Sequence, residues 1–158
     1  MSNPRKIVVG VDGSSQSEAA LRWAIHEAVR EGDQVRAVLV RGQEDLLPGT
    51  SFATQPHGRR PVPDESDYVE RLRASVAAAR DELPSPPPVT NVLLSGIPAT
   101  VLIKESQNAD LLVVGSHGAR QLSELLLGSV ATQCVRHAHC PVVVITAESA
   151  QRWRPQAG

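Results

Sequence analysis

Four runs of consecutive apolar residues punctuate the chain, at 6–11 (KIVVGV), 35–40 (VRAVLV), 110–114 (DLLVV) and 141–146 (PVVVIT). Rich in β-branched residues and apolar without alternation, they predict strands buried on both faces. A fifth run, 89–95 (VTNVLLS), carries the pattern more weakly and is bounded by Pro88 and Gly96. Between the runs the apolar spacing changes to that of a helix. Leu21, Ala24, Ile25, Ala28 and Val29 share one face, with Ser15-Gln16-Ser17-Glu18 as a capping-box start and Gly32 as the stop. Residues 64–83 predict a second helix with Val69, Leu72, Val76, Ala79 and Leu83 on its stripe. Pro98 stands at the first position of a third, which carries Leu102 and Ile103. The fourth covers about 129–138 and turns Val130, Ala131, Cys134, Val135 and Ala138 inward.

Strand and helix alternate, the signature of a parallel sheet with helices on both faces. Right-handed crossovers leave few topologies, and the predicted architecture is a doubly wound, three-layer α/β/α sandwich. One domain is predicted over residues 1–158, with an ordered core at about 6–146. Two stretches break the rhythm. Residues 41–63 hold Pro48, Pro56, Pro61 and Pro63 among Gly42, Gly49 and Gly58, and read as a surface loop or as a lid over a ligand. Pro84-Ser85-Pro86-Pro87-Pro88 is a stiff spacer rejoining the sheet. The tail 147–158, including Trp153, has no periodicity and is predicted to fray.

Composition narrows the function classes. Sixteen basic residues against 17 acidic ones give a net charge of −1, which argues against a chain that grips nucleic acid or an anionic membrane by charge. Trp23, Trp153, Tyr68 and Phe52 are too few rings for a base-stacking surface. No apolar stretch reaches membrane-spanning length, and Met1 leads into the first strand without an apolar leader, so a cytoplasmic protein is expected. Two cysteines, Cys134 and Cys140, are too few for a secreted disulfide framework.

In a doubly wound sheet, ligands sit beyond the carboxyl ends of the strands where the winding direction reverses. The unusual residues of this chain fall at such ends. Val11-Asp12-Gly13-Ser14 follows the first strand, and Gly115-Ser116-His117-Gly118 follows the strand at 110–114. Nine residues later Gly128-Ser129 opens the last helix. If the strand order is 3-2-1-4-5, both loops face one crevice. Gly115 and Gly118 let backbone approach a ligand and permit positive φ, while Gly128-Ser129 offers N–H groups and a hydroxyl at a helix N-terminus. That is a phosphate cradle built from main chain, to which Arg120 and His117 could add charge. Gly115 also reads simply as a strand end, Ser129 as a cap, and Asp12 as a turn-stabilising carboxylate before Gly13.

Other nucleotide motifs are missing. There is no Gly-x4-Gly-Lys-[Ser/Thr], no Gly-x-Gly-x-x-Gly and no Gly-x-Ser-x-Gly elbow. Nor is there a Ser-Gly-Gly-x-Asp-Ser loop, a His-x-Gly-His pair or an obvious general base for a γ-phosphate. Binding rather than turnover is therefore expected. Cys134-x2-His137-x-His139-Cys140 has the outline of a metal cluster, but Cys134 is spaced like its apolar helical neighbours and reads as core.

The segments KIVVGVDGS, ADLLVVGSHG and LLLGSVATQCVRHAHCPVVVI, with the spacing Gly-x2-Gly-x9-Gly-Ser at Gly115, Gly118, Gly128 and Ser129, resemble the universal stress protein family over about residues 6–146. The resemblance is to its ATP-binding branch. It implies a Rossmann-like α/β/α sandwich with a five-stranded parallel sheet in the order 3-2-1-4-5. It also implies ATP, with Mg²⁺ or Mn²⁺ bound through the phosphates. Asp12 would sit at the nucleoside end and Val40 would meet adenine through its backbone. Gly115 and Gly118 would line ribose and phosphates, with Gly128, Ser129 and Val130 on the phosphate chain. His117 lies within the same loop, contributing backbone while its side chain faces solvent. The chain departs from many relatives at Ala119-Arg120-Gln121-Leu122, where they carry further glycine. The apolar strand at 141–146, expected at a sheet edge, invites pairing with a second chain, and the resemblance implies a homodimer through it. The implied function is a dimeric nucleotide-binding regulator in stress response. Alternatives are an interaction module, nucleotide-empty or loaded with AMP or cyclic AMP, and a slow ATPase; no protein partner is legible.

Overall fold

The computed structural model describes residues 3–42, 63–117 and 126–153. The five runs form one all-parallel sheet from β1 (Lys6–Val11), β2 (Gln34–Arg41), β3 (Val89–Ser95), β4 (Leu111–Gly115) and β5 (Val142–Ile145). Its order is β3-β2-β1-β4-β5, the expected topology. Helices α1 (Ser15–Glu31), α2 (Glu65–Arg80), α3 (Pro98–Glu105), α4 (Ser129–His137) and α5 (Ala147–Arg152) complete the chain.

The side-chain alternation of a strand explains why the central runs are almost continuously apolar. On β1, Ile7, Val9 and Val11 pack with Leu21 and Ile25 of α1 and Leu72 and Val76 of α2. Val8 points the other way and joins Val38, Leu102, Leu112, Ala131 and Cys134 beneath α3 and α4. Both faces are buried, so an apolar residue is favoured at every position. Leu21 and Ile25 are fully buried; each such side chain contributes roughly 1.5–3 kcal/mol.

Several local expectations are corrected. The N-cap of α1 is Ser14, whose hydroxyl accepts from Ser17 N–H at 3.2 Å, so no Ser15–Glu18 box forms. Glu18 instead accepts from the Ser75 hydroxyl on α2. Val29, Val69 and Val135, expected on inward stripes, are exposed. Each follows a buried residue (Ala28, Tyr68 and Cys134) and is carried about 100° round the helix from it, out of the packed sector. The α2 stripe is thus Tyr68, Leu72, Val76 and Ala79. Nor does the described part of the tail fray. Thr146 and Ser149 make a reciprocal capping box at the start of α5, and Trp153 meets His26 of α1 edge-on at 5.1 Å. Periodicity could not reveal so short a helix. Most of the long connector, residues 43–62, lies outside the described residues, so the lid reading is not addressed. Among the described residues no helix is long and apolar enough to cross a membrane.

Candidate ligand site

The central neighbours β1 and β4 are wound to opposite sides of the sheet, and the crevice beyond their carboxyl ends is a cavity of about 480 Å³. That lies within the roughly 300–1,000 Å³ typical of small-molecule sites. Its walls differ in chemistry. Val38 and Val40 of β2, Pro98 and Leu102 of α3, and Val114 make an apolar part of the lining. Asp12, Ser116, His117 and the first turn of α4 make a polar one.

Gly10 also lines the cavity, and a Cβ there would come within 2.9 Å of a Leu102 methyl. Asp12 ends β1 in a turn. Its Oδ1 accepts from Ser14 N–H at 2.9 Å, its own N–H donates to Ser17 Oγ at 3.1 Å, and Gly13 takes φ 83°. The carboxylate therefore stabilises a turn and also lines the cavity. These two readings of Asp12 coexist.

The β4 exit is pinned at three places. Ser116 N–H donates to Ile145 O at 2.8 Å, and Gly128 N–H donates back to Ser116 O at 2.6 Å. His117 N–H donates to Gln16 Oε1 at 2.7 Å, in a buried contact. The His117 side chain, expected to face solvent, belongs to a residue only 8% exposed, because α1 and Gly128 crowd it. Its N–H is committed to Gln16, so the imidazole and carbonyl are what His117 could turn to a ligand.

The glycines serve close packing inside the protein. A Cβ on Gly115 would lie 3.0 Å from Gln16 Cβ and 3.1 Å from the Gln16 carbonyl carbon. One on Gly128 would lie 3.0 Å from Ser116 O and 3.3 Å from His117 Cα. Positive φ among described glycines occurs only at Gly13, Gly32 and Gly96, so Gly115 does not need it.

Gly128 is also the N-cap of α4, and no side chain caps that helix. The first bond of the helix runs from Thr132 N–H to Gly128 O. The N–H groups of residues 129–131 precede it and have no intrahelical acceptor, on a turn that lines the cavity. Of the sequence-predicted site residues, Asp12, Val40, Gly115, His117, Gly128, Ser129 and Val130 meet around one cavity. Gly118 and Arg120 lie outside the described residues. Sequence reading missed Gln16, which carries no motif, and Leu102, whose apolar spacing marks it only as core.

The thiols lie apart from this site. Cys134 is fully buried, which pushes its pKa up to about 11, and Cys140 is also raised, by burial and by Asp110. Both are protonated at neutral pH, and no group of three or more possible metal ligands occurs among the described residues.

A match to the Universal stress protein family covers residues 3–146. The chain is 34% identical over 159 aligned residues to universal stress protein Rv2623 of Mycobacterium tuberculosis, covering 95% of this chain and 50% of that one. It thus spans about half the length of the curated relatives it matches. Among solved structures it is similar to a universal stress protein in complex with cAMP, at TM-score 0.66 and 22% identity, covering 92% of this chain and 98% of that one. The universal stress protein of Archaeoglobus fulgidus in complex with dAMP aligns at TM-score 0.58 and 23% identity, covering 92% and 100%.

Proposed function

The chain belongs to the universal stress protein family, and from that premise we propose that it binds ATP in this crevice and acts as a dimeric nucleotide-dependent regulator in stress response. One observation carries the reading: the first turn of α4, which no side chain caps, lines a cavity that Val38, Val40, Pro98 and Leu102 also line. Unbonded N–H groups and the positive end of a helix dipole suit the phosphates. The slot of Val38, Val40, Pro98 and Leu102 suits a purine ring, with the Val40 main chain at its edge.

In this assignment Asp12 lies at the nucleoside end, Gly115 and His117 form the wall, and Gly128, Ser129 and Val130 hold the phosphate chain. Gly118 joins them on its place in the sequence motif. Main-chain donors and a divalent cation would offset the phosphate charge here. Mg²⁺ or Mn²⁺ would be bound through the phosphates, with the Ser129 hydroxyl as a hard oxygen donor beside them. Bound there, the ion would neutralise phosphate charge. Among the described lining residues only Asp12 and His117 could take a proton from water, and the Asp12 carboxylate is engaged in its turn. Storage of the nucleotide is favoured over hydrolysis.

The β5 edge, Val142–Ile145, would pair with its copy in a second chain to make the homodimer. A second reading, a module loaded with AMP or cyclic AMP, is favoured by the cAMP and dAMP in the similar structures. Mass spectrometry of nucleotide released by denaturing freshly purified protein separates the two. ATP is expected; cyclic AMP, AMP or no nucleotide would overturn the ATP assignment. Sedimentation at micromolar concentration should give a dimer, and a monomer would remove the edge-pairing proposal.

A further inference from the structure

We propose that Gln16 is a positioning residue for the phosphate end of the site, latching the β4 exit onto α1 through its side-chain carbonyl. This inference rests on the nucleotide reading above. The Ser116–His117 segment is held by three main-chain anchors, and they differ in where they lead. Ser116 N–H reaches Ile145 at the end of β5, and Ser116 O receives Gly128 N–H at the start of α4. Both anchors lie in the β4–β5 half of the molecule. Among the described residues, the main-chain bond that ties the segment to the β1–α1 half, which carries Asp12, is that from His117 N–H to Gln16 Oε1, 2.7 Å long. The Ser116 hydroxyl adds a longer contact to the same oxygen at 3.4 Å.

Gln16 occupies the second position of α1 and is 7% exposed, an unusual place for a carboxamide unless it is bonded. Its backbone is pressed against Gly115 so closely that a Cβ there would meet it at 3.0–3.1 Å. The side chain therefore starts in contact with the β4 exit and has little freedom to leave it. His117 in turn sets Gly128, whose Cα substituent would lie 3.3 Å from His117 Cα. A chain of contacts thus runs from α1 through Gln16 and His117 to the first turn of α4, which lines the cavity. Gln16 need not touch the ligand itself. Removing its acceptor leaves His117 N–H buried without a partner, a penalty the segment escapes by turning away.

Two variants test this. Gln16→Met keeps the length of the side chain and removes the acceptor; Gln16→Glu keeps an oxygen in place. Affinity for ATP and for adenosine is measured by calorimetry on each, with hydrogen exchange at the His117 amide. Gln16→Met is expected to weaken ATP on the order of tenfold, leave adenosine unchanged and speed exchange at His117. Gln16→Glu should keep that amide protected and bind ATP more tightly than Gln16→Met. Parallel losses of ATP and adenosine, or no loss in either, would overturn the proposal. If Gln16→Met folds poorly, the Gln16→Glu variant decides alone: an unprotected His117 amide would refute the latch, and a protected one with adenosine affinity retained would support it. A parent protein that binds no ATP removes the nucleotide reading and this one with it, whereas normal parent binding with an unaltered Gln16→Met removes only this one.

Discussion

Helices α1 and α4 each follow one of the two strands at which the sheet reverses, α1 directly after β1 and α4 after a longer connection from β4, and their first turns are finished in opposite ways. At α1 the protein satisfies itself: Ser14 accepts from Ser17 N–H, Ser17 Oγ donates to Ser14 O, and Asp12 accepts from Ser14 N–H. At α4 the N-cap is a glycine with no side chain to offer, and its N–H is drawn away to Ser116. One terminus is a structural joint. The other leaves main-chain donors without a side-chain cap on a turn that lines a cavity, a cost in folding stability that a bound anion could recover.

The contrast can be broken most severely at its hinge. Gly128→Val would push a branched side chain against Ser116 O and His117 Cα, backbone atoms that cannot rotate aside. ATP affinity should fall about 100-fold or more, as two or more amide–phosphate bonds lose alignment; calorimetry at constant Mg²⁺ reads it, and unchanged affinity would refute the role given to this turn. A smaller effect with an informative sign comes from giving α4 the negative charge it lacks. Ser129→Asp should raise the melting temperature by a few degrees, through about 0.3–1 kcal/mol of dipole interaction, while ATP binding weakens by about tenfold through charge repulsion. Stability and affinity moving in the same direction would show that the donors of α4 do not face the ligand. Smallest is the change at the closed terminus. Ser14→Ala should cost about 1 kcal/mol in denaturant unfolding and leave ATP affinity as it was; a matching loss of affinity would erase the distinction between the two termini.

The architecture was legible because four strand runs are almost continuously apolar and alternate with helices, as a sheet covered on both faces requires; β3, with Thr90 and Asn91 exposed, carries the weaker pattern. Places where reading failed share a cause. Val29, Val69 and Val135 are apolar and adjacent to a buried stripe, but the packed sector of each helix is narrower than the stripe that residue type suggests. Helix α5 is shorter than two periods of any hydrophobic pattern, and the reciprocal bonds of Thr146 and Ser149 leave no apolar trace. In the site, seven of the eight expected residues line one cavity, because glycine spacing after a strand marks a loop without side chains. The purpose of that spacing was not legible. Gly115 and Gly128 are small because Gln16 and Ser116 stand against them, contacts with residues 99 and 12 positions away in the chain.

The sequence by itself determined which segments are strands, how they alternate with helices and where the chain is bare of side chains, since these follow from local periodicity and residue size. Only the tertiary structure decided which bare places face a cavity and which face another part of the protein. That depends on which distant backbone arrives beside each glycine, and whether an N–H group is free or spent is settled only once its neighbour from another segment is in position.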